Sequence, residues 1–224
     1  MSFNRDIQLD PNRVQTRSGG GRGAVIGGGS ILTVIAVVLI SQLTGVDLTS
    51  MLGAQQQTGT TTSTASSIDT SVCTSGDSAN KYTQCRMVAT AESLDAVWTE
   101  QLPAQAGLKY AKPEFVLWDG SQISSACGNA SSAVGPFYCS GDRTVYLDMS
   151  FFSEMERSLG ATDTPLAEEY IVAHEFGHHI QHLTGQMAKA DRSGSGATSD
   201  SVRLELQADC YAGIWGHYAV NNNI

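Results

Sequence analysis

The 224-residue sequence contains no CxxC pair, which excludes the common cysteine-paired structural zinc modules. It has no phosphate-binding loop, no dinucleotide fingerprint and no internal repeat, so nucleotide-driven chemistry and solenoid architectures are set aside. Basic residues are also scarce. The net charge is -9, and the first 23 residues hold four arginines against two aspartates, leaving the remainder with 9 basic and 20 acidic side chains. Such a surface does not favour nucleic acid or anionic lipid, and no nucleic-acid partner is expected. Charge is absent altogether from Gly23 to Val46.

That uncharged stretch includes twenty mostly apolar positions, 24–43, which is the length of a bilayer-crossing helix. A cleaved signal peptide and a buried core helix are the alternatives. No small-x-small cleavage site follows before Asp47, and no polar face is visible, so the expectation is one retained transmembrane helix. The charge asymmetry orients residues 1–23, read as a flexible basic tail, to the cytoplasm, with a single-pass anchor in the cell membrane and the rest of the chain on the extracytoplasmic, periplasmic side. Residues 44–71 are rich in Thr, Ser and Gln and read as a flexible linker, so the globular domain is expected over 72–224.

Five cysteines remain to be placed. Cys73 with Cys85 and Cys127 with Cys139 group as two short loops in an oxidising compartment, although the sequence leaves connectivity open. Cys210 falls in mid-helix and reads as a small buried side chain.

Within the domain, residues 82–102 carry Met87, Val88, Ala91, Leu94, Val97, Trp98 and Leu102 at helical spacing. Residues 115–118 and 144–147 read as strands, 153–159 as a short helix, and 127–139 and 188–200 as Gly- and Ser-rich loops. Trp118, Phe137, Tyr138 and Tyr146 are assigned to the core. A further helix from Val202 to about Tyr218, capped by Ser199 or Asp200, has an apolar face of Leu204, Ala208, Tyr211, Ala212 and Trp215.

The densest chemistry lies in LAEEYIVAHEFGHHIQHLTG, residues 166–185. Thr164 is placed to cap it, Pro165 to open it and Gly185 to end it. His174 and His178 are four residues apart, hence on one helical face where both imidazoles reach one metal ion, and Glu175 is turned towards a water on that ion. A polar helix that happens to be rich in histidine is the alternative. It fits poorly with the apolar flanks Tyr170, Ile171, Val172, Ala173 and Ile180, because buried histidines beside a glutamate need partners.

A catalytic zinc takes three protein ligands. Gln181 and Thr184 stand where a downstream third histidine of the same motif would require Gly and His, so the third ligand is sought elsewhere. Glu205 is the candidate, on the later helix, with Asp209 one turn on as acceptor for a ligand imidazole N–H. His182 is a geometrically thinkable ligand in a set that three others already complete, His179 points to another face, and His217 has no spacing that assigns it a role. The expected chemistry is peptide hydrolysis by a zinc-activated water with Glu175 as general base. A catalytically idle zinc-binding scaffold for an envelope partner, and an amidase acting on a non-peptide substrate, share the same residues.

At His174 to His178 with Glu205 and Asp209 the chain resembles the glutamate-zincin peptidases. Through GPFYCSGDRTVYLDMSFF (135–152), YIVAHEFGHHIQ (170–181) and RLELQADCYAGIW (203–215) it resembles, more closely, the bacterial putative neutral zinc metallopeptidase family. The resemblance implies an α+β zincin-like metallopeptidase domain with an active-site helix and a second ligand helix, preceded by one transmembrane helix. It further implies zinc held by His174, His178 and Glu205, with Glu175 catalytic; it implies less about the substrate, for which a peptide or protein is the expectation from the chemistry above. Family members continue beyond the second ligand helix, so a C-terminally incomplete domain is expected at Ile224. Oligomeric state is left open.

Overall fold

In a computed structural model of the chain, the described residues are 2–19, 68–120, 122–159, 164–191 and 193–221. Their framework is a four-stranded sheet with three long helices on one face and a small hairpin on the other. The central strand, β2 (Glu114–Asp119), was expected from its apolar run, and it is buried on both faces as a parallel interior strand should be. It pairs in parallel with the N-terminal β1 (Gln15–Ser18), Gln15 lying opposite Val116, and in parallel with β6 (Thr144–Asp148), Glu114 lying opposite Thr144. The outer strand β5 (Phe137–Cys139) runs antiparallel to β6, giving the order β1-β2-β6-β5.

Period-two alternation divides the core. Phe115, Leu117, Val145 and Leu147 join a cluster with the helices, whereas Val116, Trp118 and Tyr146 pack with Ile123 and Ala130 of the hairpin β3 (Gln122–Ser125) and β4 (Gly128–Ser131). Each large apolar side chain so buried contributes about 1.5–3 kcal/mol.

On the helical face, α1 (Gly76–Lys81) leads into α2 (Thr83–Ala106), which ends where Gly107 turns left-handed and donates to the Pro103 carbonyl. The spacing predicts an amphipathic helix. In the structure α2 is buried on nearly all sides, because Arg86, Thr90 and Ser93 are also enclosed and each is partnered: Arg86 with Glu168, Thr90 with the Arg86 carbonyl, Ser93 with the Trp215 indole N–H. Helix α3 (Phe151–Leu159) follows the sheet. Then come α4 (Pro165–Leu183), the short α5 (Gln186–Lys189) and α6 (Asp200–Asn221), with α4 and α6 packed against α2 and each other. Two disulfides, Cys73 to Cys85 and Cys127 to Cys139, match the expected grouping.

Three expectations are corrected. The α+β zincin-like class is consistent with this mixed architecture, but the transmembrane helix placed before it is not supported: among the described residues no helix is long and apolar enough to cross a membrane, and positions 24–43 lie outside the described residues, as do 44–67 of the linker. Residues 2–19 are not a flexible tail. Phe3, Leu9 and Val14 are buried in the helix-side core, β1 completes the sheet, and Arg13 makes a two-pronged ion pair with the buried Asp95, at 2.6 and 3.2 Å. Finally, Cys210 is exposed on α6, because the apolar stripe of that helix passes through Ala208, Ala212 and Trp215 instead.

Candidate metal centre

Helix α4 begins as its sequence requires: the Thr164 hydroxyl oxygen accepts from the Ala167 N–H at 3.3 Å and Pro165 takes the first helical position. Four-residue spacing then puts His174 and His178 on one face, ring centroids 4.8 Å apart. That face meets α6, which returns antiparallel. The close approach needs Gly177, where an added Cβ would stand 2.8 Å from the Ala208 carbonyl oxygen.

Between the helices, Glu205 Oε2 lies 3.1 Å from His174 Nε2 and 3.5 Å from His178 Nε2. Donor atoms at the corners of a tetrahedron around zinc, with bonds of about 2.0–2.1 Å, are separated by about 3.3–3.4 Å. The three groups therefore already stand at ligand spacing. Glu205 is almost wholly buried, and its Oε1 has no hydrogen-bond partner among the described residues, an expense that a cation would relieve. Two imidazoles and one carboxylate are the donor chemistry of a catalytic zinc site, so the residues fit the group.

The far side of each ring is held as well. His174 Nδ1 lies 2.8 Å from Asp209 Oδ1, which also accepts from the Tyr170 hydroxyl at 2.6 Å. His178 Nδ1 lies 2.9 Å from Gln181 Oε1, and the Gln181 amide nitrogen donates in turn to the Leu204 carbonyl on α6. Both rings thus donate their Nδ1–H groups to these acceptors and turn Nε2 towards one point, where a metal would take the place of any Nε2 proton. The sequence pointed to Asp209 but missed Gln181, and it placed Tyr170 among the buried apolar flanks, whereas Tyr170 is 41% exposed and its hydroxyl serves Asp209. Gln181 had a signal: it is three residues after His178, on a neighbouring row of the same face.

Electrostatics tighten the cluster. Burial works against a charged His174, but its bonds to Asp209 and Glu205 prevail and raise its pKa to about 10. Burial would lift Glu205; the two imidazoles overcome it and bring the carboxyl down to about 2. Asp209 is lowered too, since hydrogen bonds from His174 and Tyr170 outweigh burial. Glu175 behaves differently: burial holds its carboxyl above the usual range, against the opposing pull of His178 and His174, and the backbone N–H of Tyr138 on β5 faces it.

The remaining histidines stand outside the centre. His179 is fully buried and turned towards β5, with Nδ1 3.0 Å from the Tyr138 hydroxyl and Nε2 2.6 Å from the Ala111 carbonyl; burial lowers its pKa to about 4. His182 stacks on His179 and is not in the group of His174, His178 and Glu205 that could hold an ion. His217 sits edge-on to Tyr218. Of the aromatics assigned to the core, Trp118 and Tyr146 are there, Phe137 stacks on Tyr146, and Tyr138 reaches the site helix.

An α+β domain whose HExxH helix and a second carboxylate-bearing helix converge on one point belongs to the class of candidate zinc-dependent hydrolases. Comparison with known proteins gives the family. Residues 6–224 match the family described as putative neutral zinc metallopeptidase, and the chain belongs to it. Uncharacterised proteins of Mycobacterium tuberculosis and Mycobacterium bovis are each 46% identical over 179 residues, 80% of this chain and 59% of theirs. The uncharacterised protein YpfJ of Escherichia coli is 39% identical over 198 residues, 85% of this chain and 63% of its own. The chain thus spans about three fifths of the length of these relatives. No solved structure matches it.

Proposed function

We propose that this domain is a zinc-dependent peptidase that hydrolyses peptide bonds with Glu175 as general base. The observation that carries the reading is the convergence of His174 Nε2, His178 Nε2 and Glu205 Oε2, beside a buried carboxyl that belongs to none of the three. In this reading His174, His178 and Glu205 hold the ion, with Asp209 and Gln181 fixing the imidazole tautomers. A zinc ion bound there supplies Lewis acidity, polarising a carbonyl and making a water acidic near neutral pH.

The residues of the chain supply the rest. Glu175, one position after His174, is held in a dry environment that favours taking up a proton. It accepts the proton of the attacking water and passes it to the leaving amine, so the same carboxyl acts first as base and then as acid. Strand β5 is outermost on that side of the sheet, and its Tyr138 N–H faces Glu175, which supports an extended peptide lying along it as substrate. The two disulfides support action in an oxidising compartment.

The test is Glu175→Gln against wild type, each stripped by chelator and reloaded with zinc, on an unfolded protein substrate. Retained zinc with hydrolysis abolished is expected. Hydrolysis at the wild-type rate would remove Glu175 from the mechanism. A wild-type protein that binds zinc but cleaves nothing would leave a zinc-binding scaffold as the reading.

A further inference from the structure

Strand β5 is only three residues long and, among the described residues, pairs on one side alone, with β6. A strand so short frays unless something else restrains it. Yet it carries the backbone N–H that faces Glu175, so its height above α4 matters to any reaction there.

The restraint comes from the residue after the second imidazole ligand. The Ala111 carbonyl can only accept, so the His179 Nε2 at 2.6 Å from it carries the proton. In the neutral ring Nδ1 is then an acceptor, and the Tyr138 hydroxyl, 3.0 Å away, donates to it. Tyr138 is consequently tied to α4 through its hydroxyl at His179, on the same helical turn as Glu175, towards which its N–H faces. The tie is packed from both sides: the Tyr138 ring stands edge-on to His179, and Tyr110 does so from the loop before β2. The next residue, Cys139, is bonded to Cys127, so the far end of β5 is anchored to the hairpin loop independently of His179.

We infer that His179 is a positioning residue of the hydrolytic site, latching strand β5 to α4 through Tyr138 and so fixing the backbone N–H that faces Glu175. The catalytic part of this inference rests on the peptidase reading; the latch itself does not. His179 is not in the group that could hold an ion, and its ring acts on the site through Tyr138. Because a misplacement of about 1 Å costs on the order of a hundredfold in rate, loosening the strand should lower kcat more than it changes KM.

The experiment compares wild type, Tyr138→Phe, His179→Phe, the double variant carrying both Phe substitutions, and His179→Gln in the full chain. Gln is the conservative replacement, since its amide N–H can donate to the Ala111 carbonyl while its oxygen accepts from Tyr138. Hydrogen exchange of the 137–139 amides is read in the metal-free protein, zinc affinity by chelator competition, and kcat and KM on an unfolded protein. Expected are exchange at least tenfold faster in both Phe variants, unchanged zinc affinity, kcat lowered about ten- to a hundredfold, a non-additive double variant, and substantial recovery in His179→Gln. Unaltered exchange in Tyr138→Phe, whose ring fits the same space, overturns the latch whatever the enzyme does. Equal losses in His179→Gln and His179→Phe overturn it as well. A wild-type protein inactive with zinc bound would refute the peptidase reading, and the exchange measurement would still decide the latch.

Discussion

Gly177 and Ala208 meet backbone to backbone: a methyl group added to the glycine would stand 2.8 Å from the alanine carbonyl oxygen and 3.0 Å from its Cα. This contact lies between the two imidazoles on α4 and three residues beyond Glu205 on α6, so it sets the distance across which the carboxylate must reach. Gly177→Ala is therefore expected to push the helices apart, destabilise the fold by about 1–3 kcal/mol and weaken zinc binding. Gly213→Ala on α6 is the control, because nothing lies within 4 Å of its added Cβ; the same change there should stabilise by about 0.4–1 kcal/mol. Thermal melts and chelator competition on the pair check both.

Removal of the groups behind the imidazoles should cost metal affinity without removing a ligand. Asp209→Ala frees the His174 Nδ1 and leaves Tyr170 without its acceptor, while Gln181→Leu frees the His178 Nδ1 and removes the side-chain donor to the Leu204 carbonyl. Each should weaken zinc binding about 10- to 100-fold, measured by competition with a chromophoric chelator.

Metal-free protein should have its own pH dependence. The pKa of His174 is raised from 6.5 to about 10, so its contribution to stability is fully present below 6.5 and is lost as pH rises towards 10. That of Glu205 is lowered from 4.5 to about 2, so its contribution is present above 4.5 and is lost as pH falls towards 2. The metal-free melting temperature should therefore peak between these ranges, in mildly acidic solution. Zinc must displace the His174 proton, so zinc affinity should rise with pH through neutrality and binding should release protons, which calorimetry in buffers of different ionisation enthalpy measures.

The N-terminal segment carries an equally direct test. Arg13 lies 10% exposed against Asp95 at 4%, and its guanidinium also sits 5.8 Å above the centre of the Phe176 ring, inside the site motif. Replacing it with Leu leaves a buried carboxylate short of its closest cation and should cost about 3 kcal/mol. Urea unfolding reads this as a lower midpoint. Zinc binding at saturating metal should survive, because Arg13 contacts no ligand.

Much of the centre was readable beforehand because its logic is local. Thr164, Pro165 and the four-residue histidine spacing specify a capped helix with two ligands on one face, and Glu205 with Asp209 repeats that spacing on a second helix. The strands at 115–118 and 144–147 were readable from their apolar runs. What escaped lacked such periodicity. Strand β1 exposes all four side chains and is defined by backbone pairing to residues about 100 positions away. Strands β3 and β4 are built from Gln, Ser, Gly and Asn around single buried residues, Ile123 and Ala130. Gln181 and Tyr170 gain their roles only once α6 lies alongside α4, and the exposed Cys210 reflects a rotation of α6 that its pattern did not resolve.

The most direct measurement is zinc-edge anomalous diffraction from crystals of the zinc-loaded chain. The account predicts one anomalous peak about 2.0–2.2 Å from His174 Nε2, His178 Nε2 and a Glu205 carboxylate oxygen, with Glu175 close by but not bound. A peak elsewhere, or one whose nearest atoms exclude Glu205, would contradict it.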